Sequence, residues 1–243
     1  MGLIGCGKIG RPIARALLRG QAGPHELCAV LGRSERDLDG VRVTSDPDEF
    51  YSSAPELIIE AGSPEAFRLH AARALTGCDL IAVSPLPLAD RVLEQELRAI
   101  AMRTGHVLRV APGAIGGLDA IATAMAGGLE RLDVFVDLAP ADGPDQVLLF
   151  EGSVRDAAIR FPDEINVAVI AALAGPGMDA TQVRITRPPK GTIGRSMGFR
   201  VTSKVGTFEL ISRPRIVPAE DIHTAAASVI ALLREDRTGV VVG

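Results

Sequence analysis

Near the amino terminus, the run Gly5-Cys6-Gly7-Lys8-Ile9-Gly10 has the residue types and spacing of a phosphate-cradling turn. In a G-x-G-x-x-G pattern the first glycine allows a sharp reversal, the second lets a pyrophosphate approach the backbone, and the third lets a helix pack closely on a strand. Gly5, Gly7 and Gly10 are expected in those roles, with Cys6, Lys8 and Ile9 completing the cofactor-binding turn. The helix that follows would turn free N–H groups and its positive dipole end toward the phosphates. A Gly-rich turn without a ligand is the alternative. The context favours binding: an apolar run, Met1-Gly2-Leu3-Ile4, precedes the motif, an amphipathic segment from Arg11 to Arg19 follows it, and a second apolar run spans Leu27 to Leu31.

The end of that second run bears on which dinucleotide is held. An Asp or Glu there takes the ribose 2′-hydroxyl of NAD, whereas an Arg suits the 2′-phosphate of NADP. The sequence reads Gly32-Arg33-Ser34, with no carboxylate in the terminal place. Arg33 can face a phosphate and Ser34 can hydrogen-bond it, although Glu35 is adjacent and an ordinary exposed loop arginine is the other reading. NADP is expected in preference to NAD.

Apolar runs alternate with helical patterns beyond this point: Val41 to Thr44, Leu57 to Ala61, Glu65 to Leu75, Asp79 to Ser84, Leu88 to Thr104 and His106 to Val110. Ser45-Asp46-Pro47-Asp48 reads as a helix cap with proline in the first turn. Strands alternating with helices imply a parallel sheet with right-handed crossovers. Ligands on such sheets gather at the carboxyl ends of the strands, which places Ala61-Gly62 and Ser84-Pro85 beside the cofactor unless they are turns only.

The rhythm changes at Pro112-Gly113-Ala114-Ile115-Gly116-Gly117, a second Gly-rich junction running into the Ala-rich segment Ile121 to Ala126. Its backbone donors could meet a substrate carboxylate at Gly113 or the nicotinamide end of the cofactor, or the glycines could form a hinge. Strands are expected at Arg131 to Leu138, Gln146 to Phe150, Gln182 to Thr186, Gly198 to Thr202 and Thr207 to Ser212, the last two as a hairpin. Helices are expected at Gly152 to Arg160, Asn166 to Ala174 and Pro218 to Arg234. The fold class is therefore α/β: a Rossmann, doubly wound parallel sheet with a second, smaller α/β domain on a mixed or antiparallel sheet. The expected division is residues 1–111 for dinucleotide binding, 112–217 for substrate and dimerisation, and 218–243 as a helix packing back on the first domain.

Composition narrows the function classes. Hydrophobic residues make up 47% of the chain and aromatics 3%, so the core must come from Ala, Val, Leu and Ile, as α/β proteins allow. A net charge of −4 shows no basic excess, and nucleic acid is not an expected partner. The three cysteines, Cys6, Cys28 and Cys78, lack metal-ligand spacing, so neither a metal site nor a disulfide framework is expected and a reducing cytoplasm fits. No apolar run approaches membrane-spanning length and no basic leader precedes the first strand, so a cytoplasmic protein acting on a small molecule is expected.

The fingerprint, the junction Gly113-Ala114-Ile115-Gly116-Gly117-Leu118-Asp119-Ala120, and the segments Phe150 to Ala157 and Phe161 to Ala168 together resemble the L-aspartate dehydrogenase family. The resemblance covers nearly the whole chain. It implies a homodimer that oxidises L-aspartate to iminosuccinate with NAD or NADP, or runs the reverse reductive amination. It also implies that Ala114 and Asn166 contact the nicotinamide cofactor. The residues alone leave Asn166 equally readable as a helix cap.

Two positions depart from the family pattern. Met197 stands where the family carries a histidine assigned to proton transfer, and the four histidines, His25, His70, His106 and His223, all lie elsewhere in the sequence. Methionine transfers no proton. His223 in turn stands where the family has a lysine, and it either takes the proton role or begins a helix. A dicarboxylate needs cationic partners, for which Lys190, Arg195 and Arg155 are candidates, each of which could equally be a solvated surface charge. The resemblance thus points to an NAD(P)-dependent oxidoreductase acting on the CH–NH2 group of an amino acid. A related imine or oxo-acid reductase with another substrate, or a non-catalytic dinucleotide-binding protein, stands as the alternative.

Overall fold

Short apolar strands alternate with helices through the first part of the chain: β1 (Gly2–Ile4), α1 (Gly10–Leu18), β2 (Ala29–Leu31), β3 (Arg36–Leu38), β4 (Val41–Thr44), α2 (Pro47–Ser52), β5 (Leu57–Glu60), α3 (Pro64–Gly77), β6 (Asp79–Ala82), α4 (Arg91–Thr104) and β7 (Leu108–Val110). These coordinates are a computed structural model that describes residues 1–215 and 222–234. The strands form one sheet in the order β3-β4-β2-β1-β5-β6-β7. Every neighbouring pair is parallel except β3 with β4. The chain builds outward from β1 through β2 to β4, then crosses back to lay β5, β6 and β7 on the other side. The carboxyl ends of β1 and β5 therefore flank the point where strand order reverses, the place where open α/β sheets form a crevice.

The apolar side of α1, Ile13, Ala14 and Leu17, is buried against Leu3, Val30, Ile59 and Ile81 of the sheet. Ala226, Val229 and Leu233, from a helix at Thr224–Arg234, close the same cluster. Each such Leu, Ile or Val contributes roughly 2 kcal/mol by leaving water. Helix ends are set by side chains: Asp46 accepts the Asp48 N–H at the start of α2, and Ser63 accepts the Ala66 N–H at the start of α3. Both helices begin with proline, whose missing N–H has no helical partner to lose there.

Of the described residues, 112–215 form a second compact unit, whereas 1–111 group with 222–234. Its elements are α5 (Leu118–Ala126), β8 (Leu129–Asp137), β9 (Val147–Ser153), α6 (Val154–Arg160), α7 (Asn166–Ala174), β10 (Gln182–Arg187), β11 (Met197–Ser203) and β12 (Gly206–Ser212). The sheet order is β12-β11-β8-β10-β9. β8 and β10 are parallel, and the other neighbours antiparallel. Helices α5, α6 and α7 pack on this sheet, and α7 is buried from Val167 through Ala172. Outward residues form exposed ion pairs, Arg184–Glu151 and Arg200–Glu209, each at 3.0 Å and each of small energetic weight. The carboxyl-terminal helix, α8 (Thr224–Arg234), returns to the first unit and packs on α1.

Several sequence expectations need correction. β3 was not foreseen: Arg-Asp-Leu on an edge has no alternating apolar pattern, and its antiparallel pairing makes the first sheet mixed at that edge. The expected helix from Leu88 instead begins at Arg91, because the Asp90 carboxylate accepts the N–H groups of Val92 and Leu93, and a 3-10 turn at Leu86–Ala89 precedes it. Gly152 and Ser153 extend β9 by pairing with Val183 and Gln182, and Ser153 then caps α6. Asn166 is the first helical residue of α7, the cap position being Ile165, so Asn166 is not an N-cap. The last helix begins at Thr224, and residues 218–221 of the expected span lie outside the described residues.

Gly10 and Gly198 are among the glycines held by backbone contact. A Cβ on Gly10 would lie 1.9 Å from the Gly5 carbonyl oxygen, and one on Gly198 would lie 1.9 Å from the Leu210 carbonyl oxygen. Gly10→Ala and Gly198→Ala are each expected to destabilise the protein by about 2 kcal/mol or more, because the clashing atoms are backbone. Urea unfolding followed by circular dichroism checks this, with Gly7→Ala as the control expected to change stability by under about 0.5 kcal/mol.

Candidate functional site

At the point of strand reversal, backbone meets backbone. Gly5 has a φ of +88°, and a Cβ on it would lie 2.3 Å from the Gly62 Cα and 2.4 Å from the Gly62 nitrogen. The Ala61 N–H donates to the Ile4 carbonyl at 2.8 Å, so the ends of β1 and β5 are joined to the last residue. A Cβ on Gly7, by contrast, would touch no protein atom within 4 Å. Protein packing thus accounts for glycine at Gly5 and Gly10, while at Gly7 it demands none and leaves open space beside the backbone. Lys8 is exposed, Cys6 is buried, and Ile9 is the cap position before α1, with no side-chain cap on the helix N–H groups. The residues present fit a pyrophosphate: α1 offers uncapped donors, and no acidic side chain stands in its first turn.

Directly under this turn lies a group that sequence reasoning missed. Glu60 ends β5 with no solvent exposure. Its Oε1 accepts the Gly62 N–H at 2.8 Å, while its Oε2 is buried with no hydrogen-bond partner. Burial pushes the carboxyl up to about 7, opposed by the hydrogen bond from Gly62. A charged residue closing the apolar run Leu57-Ile58-Ile59 was the available signal.

On the far side of β1, Gly32 leaves β2 with its N–H donating to the Thr44 carbonyl at 2.8 Å, and a Cβ there would lie 2.6 Å from Val43 Cγ1. Arg33 and Ser34 follow, both exposed. Ser84 is half-buried at the end of β6 and Pro85 is buried as it enters the 3-10 turn. Gly5, Ala61-Gly62, Gly32 to Ser34 and Ser84-Pro85 therefore all stand on one carboxyl edge of one sheet. His223 belongs to this unit also. Its Nδ1 accepts the Ala225 N–H at 3.2 Å, which caps α8, and burial together with the nearby Lys8 charge lowers its pKa, leaving a neutral imidazole at pH 7.

In the second unit, Gly113 has a φ of +66° and the Ala114 carbonyl accepts the Ser212 hydroxyl at 2.7 Å. The Oδ1 of Asn166 is buried and has no hydrogen-bond partner, an acceptor of the kind an amide N–H would satisfy. Met197 is 8% exposed and opens β11 opposite Val136. Beside it the Asp137 carboxylate, which the sequence reading did not single out, accepts the Thr186 hydroxyl through Oδ1 at 2.5 Å and the Ser196 hydroxyl through Oδ2. Gln146 Nε2 extends this network to Thr186 at 3.1 Å. Arg195 is engaged: its Nη2 lies 2.5 Å from Glu164 Oε2, as a charge contact, and its Nε donates to the Asp137 carbonyl at 3.2 Å. Lys190 is exposed, its backbone N–H donating to the Gly143 carbonyl at 2.8 Å. Arg155 pairs with Asp179 at 2.9 Å. Among the described residues no three His, Cys, Asp or Glu side chains are grouped to hold a metal, and no helix is long and apolar enough to cross a membrane.

This arrangement defines a dehydrogenase class with a Rossmann domain for NAD(P). Residues 5–111 match the family model described as homoserine dehydrogenase, NAD binding domain, and residues 137–236 match that described as aspartate dehydrogenase, C-terminal. The chain is 32% identical to L-aspartate dehydrogenase of Methanopyrus kandleri, covering 100% of this chain and 98% of that one. It is 33% identical to L-aspartate dehydrogenase 2 of Bordetella pertussis, covering 99% and 97%. Among solved structures, aspartate dehydrogenase from Thermotoga maritima superposes with a TM-score of 0.81 at 22% identity, covering 100% of this chain and 98% of that one. The chain belongs to the L-aspartate dehydrogenase family.

Glu60 makes stability depend on pH. The folded state holds its proton up to about pH 7 against a reference of 4.5, so burial costs nothing where both states are protonated and costs more as pH rises between those values. Above pH 7 the cost levels at roughly 3 kcal/mol. Glu60→Gln keeps an acceptor for Gly62 and is expected to match the parent near pH 4.5 and exceed it by ~3 kcal/mol at pH 8. Urea midpoints across that range check the divergence.

Proposed function

We propose that the protein interconverts L-aspartate and iminosuccinate with NAD(P), NADP being preferred, and so links aspartate to oxaloacetate and ammonia. Family membership along the full chain supports this reading, and the observation that carries it is the turn in which packing demands Gly5 and Gly10 but leaves Gly7 clear. Bound NAD(P) would accept or deliver the hydride. The chain's own part is to hold the pyrophosphate at Gly5 to Gly10 and the N-terminus of α1, and the adenosine ribose at Gly32, Arg33 and Ser34. Ala61-Gly62 and Ser84-Pro85 line the same carboxyl edge. Ala114 and Asn166 are assigned to the nicotinamide end by family resemblance, with the unpaired Asn166 Oδ1 as the acceptor for a carboxamide.

Substrate carboxylates are assigned to the backbone donors about Gly113 and to Lys190. Arg195 and Arg155 spend their charge on Glu164 and Asp179, which favours a positioning role for both. Proton handling is where this chain departs from its family. Met197 carries no titratable group, and His223 keeps only Nε2 beyond its capping bond. Hydride delivery to a preformed imine asks chiefly for positioning, which an apolar Met197 permits. The same observation favours a second reading, a reductase of a related imine or oxo acid. A cytoplasmic homodimer is part of the proposal; three unpaired cysteines support the compartment and family resemblance the assembly.

Mixing the protein with NADPH or NADH, ammonia and oxaloacetate, then with other oxo acids, separates the readings by the rate of cofactor oxidation. Turnover fastest with oxaloacetate is expected; turnover confined to another acid selects the second reading, and none with any acid despite tight cofactor binding removes both. Met197→His is expected to raise kcat for aspartate oxidation by about tenfold or more, the usual scale of a positioned acid or base being 10²–10⁴. An unchanged or lower rate would mean that the pocket no longer fits aspartate.

A further inference from the structure

The carboxyl edge of β2 carries a second guanidinium that the fingerprint pattern does not foresee. After Ser34 the chain reverses into β3, which pairs antiparallel with β4 so that Arg36 stands level with Val43. From there Arg36 Nη2 donates to the carbonyl oxygen of Cys6 at 2.5 Å. The guanidinium is thereby tethered to the phosphate-binding turn by one nitrogen, leaving Nε and Nη1 without a partner among the described residues. Arg33, exposed three residues earlier, makes no ion pair or hydrogen bond among them either.

Every carboxylate around this hairpin is occupied. Glu35, which would repel a phosphate from Arg33, has its Oε2 3.4 Å from Arg42 Nη2, and Arg42 Nη1 lies 3.2 Å from Glu49. Asp37 accepts the Gly40 N–H at 3.0 Å, and Asp39 is paired with Arg15 at 2.8 Å. Two guanidinium groups with spare donors thus share an edge whose acids are each held by another partner. Arg is suited to such a place because its planar fork gives two aligned bonds to a phosphate, and a tether at one nitrogen lessens the entropy lost on binding.

We propose that Arg36 determines cofactor specificity, its free donors and those of Arg33 gripping the phosphomonoester on the 2′ position of the adenosine ribose while its bond to Cys6 O fixes its place. This rests on the NAD(P) reading above and adds to it a residue, and a link between the pyrophosphate turn and the 2′-phosphate. An arginine that only satisfied the Cys6 carbonyl would serve both dinucleotides alike.

Titration calorimetry of the full chain with NADPH and with NADH, for the parent, Arg36→Ala and Arg36→Lys, tests this. The parent is expected to favour NADPH; Arg36→Ala is expected to raise the NADPH Kd about tenfold or more, ~1.4 kcal/mol, and the NADH Kd by less than about twofold. Arg36→Lys, which keeps the charge without the fork, is expected to fall between, and it decides by the same ratio should Arg36→Ala fail to fold. Equal weakening of both cofactors, or no change in either, overturns the proposal, as does a parent that favours NADH. A parent that binds neither cofactor overturns the dinucleotide reading itself, a result distinct from all of these.

Discussion

The contact between the Gly5 and Gly62 backbones is the constraint on which the first unit depends. No side chain separates the ends of β1 and β5 there, and Gly10 lets α1 begin against the Gly5 carbonyl with equal closeness. Three elements thereby converge within backbone contact at the place where strand order reverses. The location of the glycine turn follows from this, and so does the burial of Glu60, whose carboxyl lies under the Gly62 N–H that it accepts. Any side chain at these glycines would part the strands, so the site is specified by what the sequence leaves out.

Charge is arranged differently along the two sides of that contact. Beneath it Glu60 sits without exposure, with one oxygen unpaired and a carboxyl that burial drives toward neutrality. Across β1, the edge at Arg33 and Arg36 is cationic because Glu35, Asp37 and Asp39 are all engaged elsewhere. Burial, and then the like charge of Lys8, hold the His223 imidazole below its usual range. A low-dielectric floor under a positively charged rim suits a ligand that brings its own negative charge.

The second unit holds its polar residues in a network around Asp137, through Thr186, Ser196 and Gln146, and binds Arg195 to Glu164. Met197 opens β11 beside this network as a buried apolar side chain. Membership of the L-aspartate dehydrogenase family accounts for both sheets and for the order of the motifs. Within that shared framework, the strand end at Met197 offers no titratable group of its own, while the carboxylate of Asp137 is already held by two hydroxyls.

By itself the sequence determined the alternation of strands and helices, the glycine turn between the first strand and helix, a second sheet left open between mixed and antiparallel, and the family, because those are recorded in local periodicity, in glycine spacing and in motifs contiguous along the chain. The proline and capping residue at Asp46-Pro47 were equally legible, since a cap acts within one turn. What the chain pattern did not reveal was set by contacts between distant positions: β3 exists by pairing with β4, and Asn166 is a helical residue with a stranded acceptor where a cap was one reading. Arg36 acquires its meaning only from the Cys6 carbonyl 30 residues away, and Arg195 only from Glu164. Burial and charge pairing are properties of the folded surroundings, so only the tertiary structure decided which charged side chains are free to meet a ligand and which are already held.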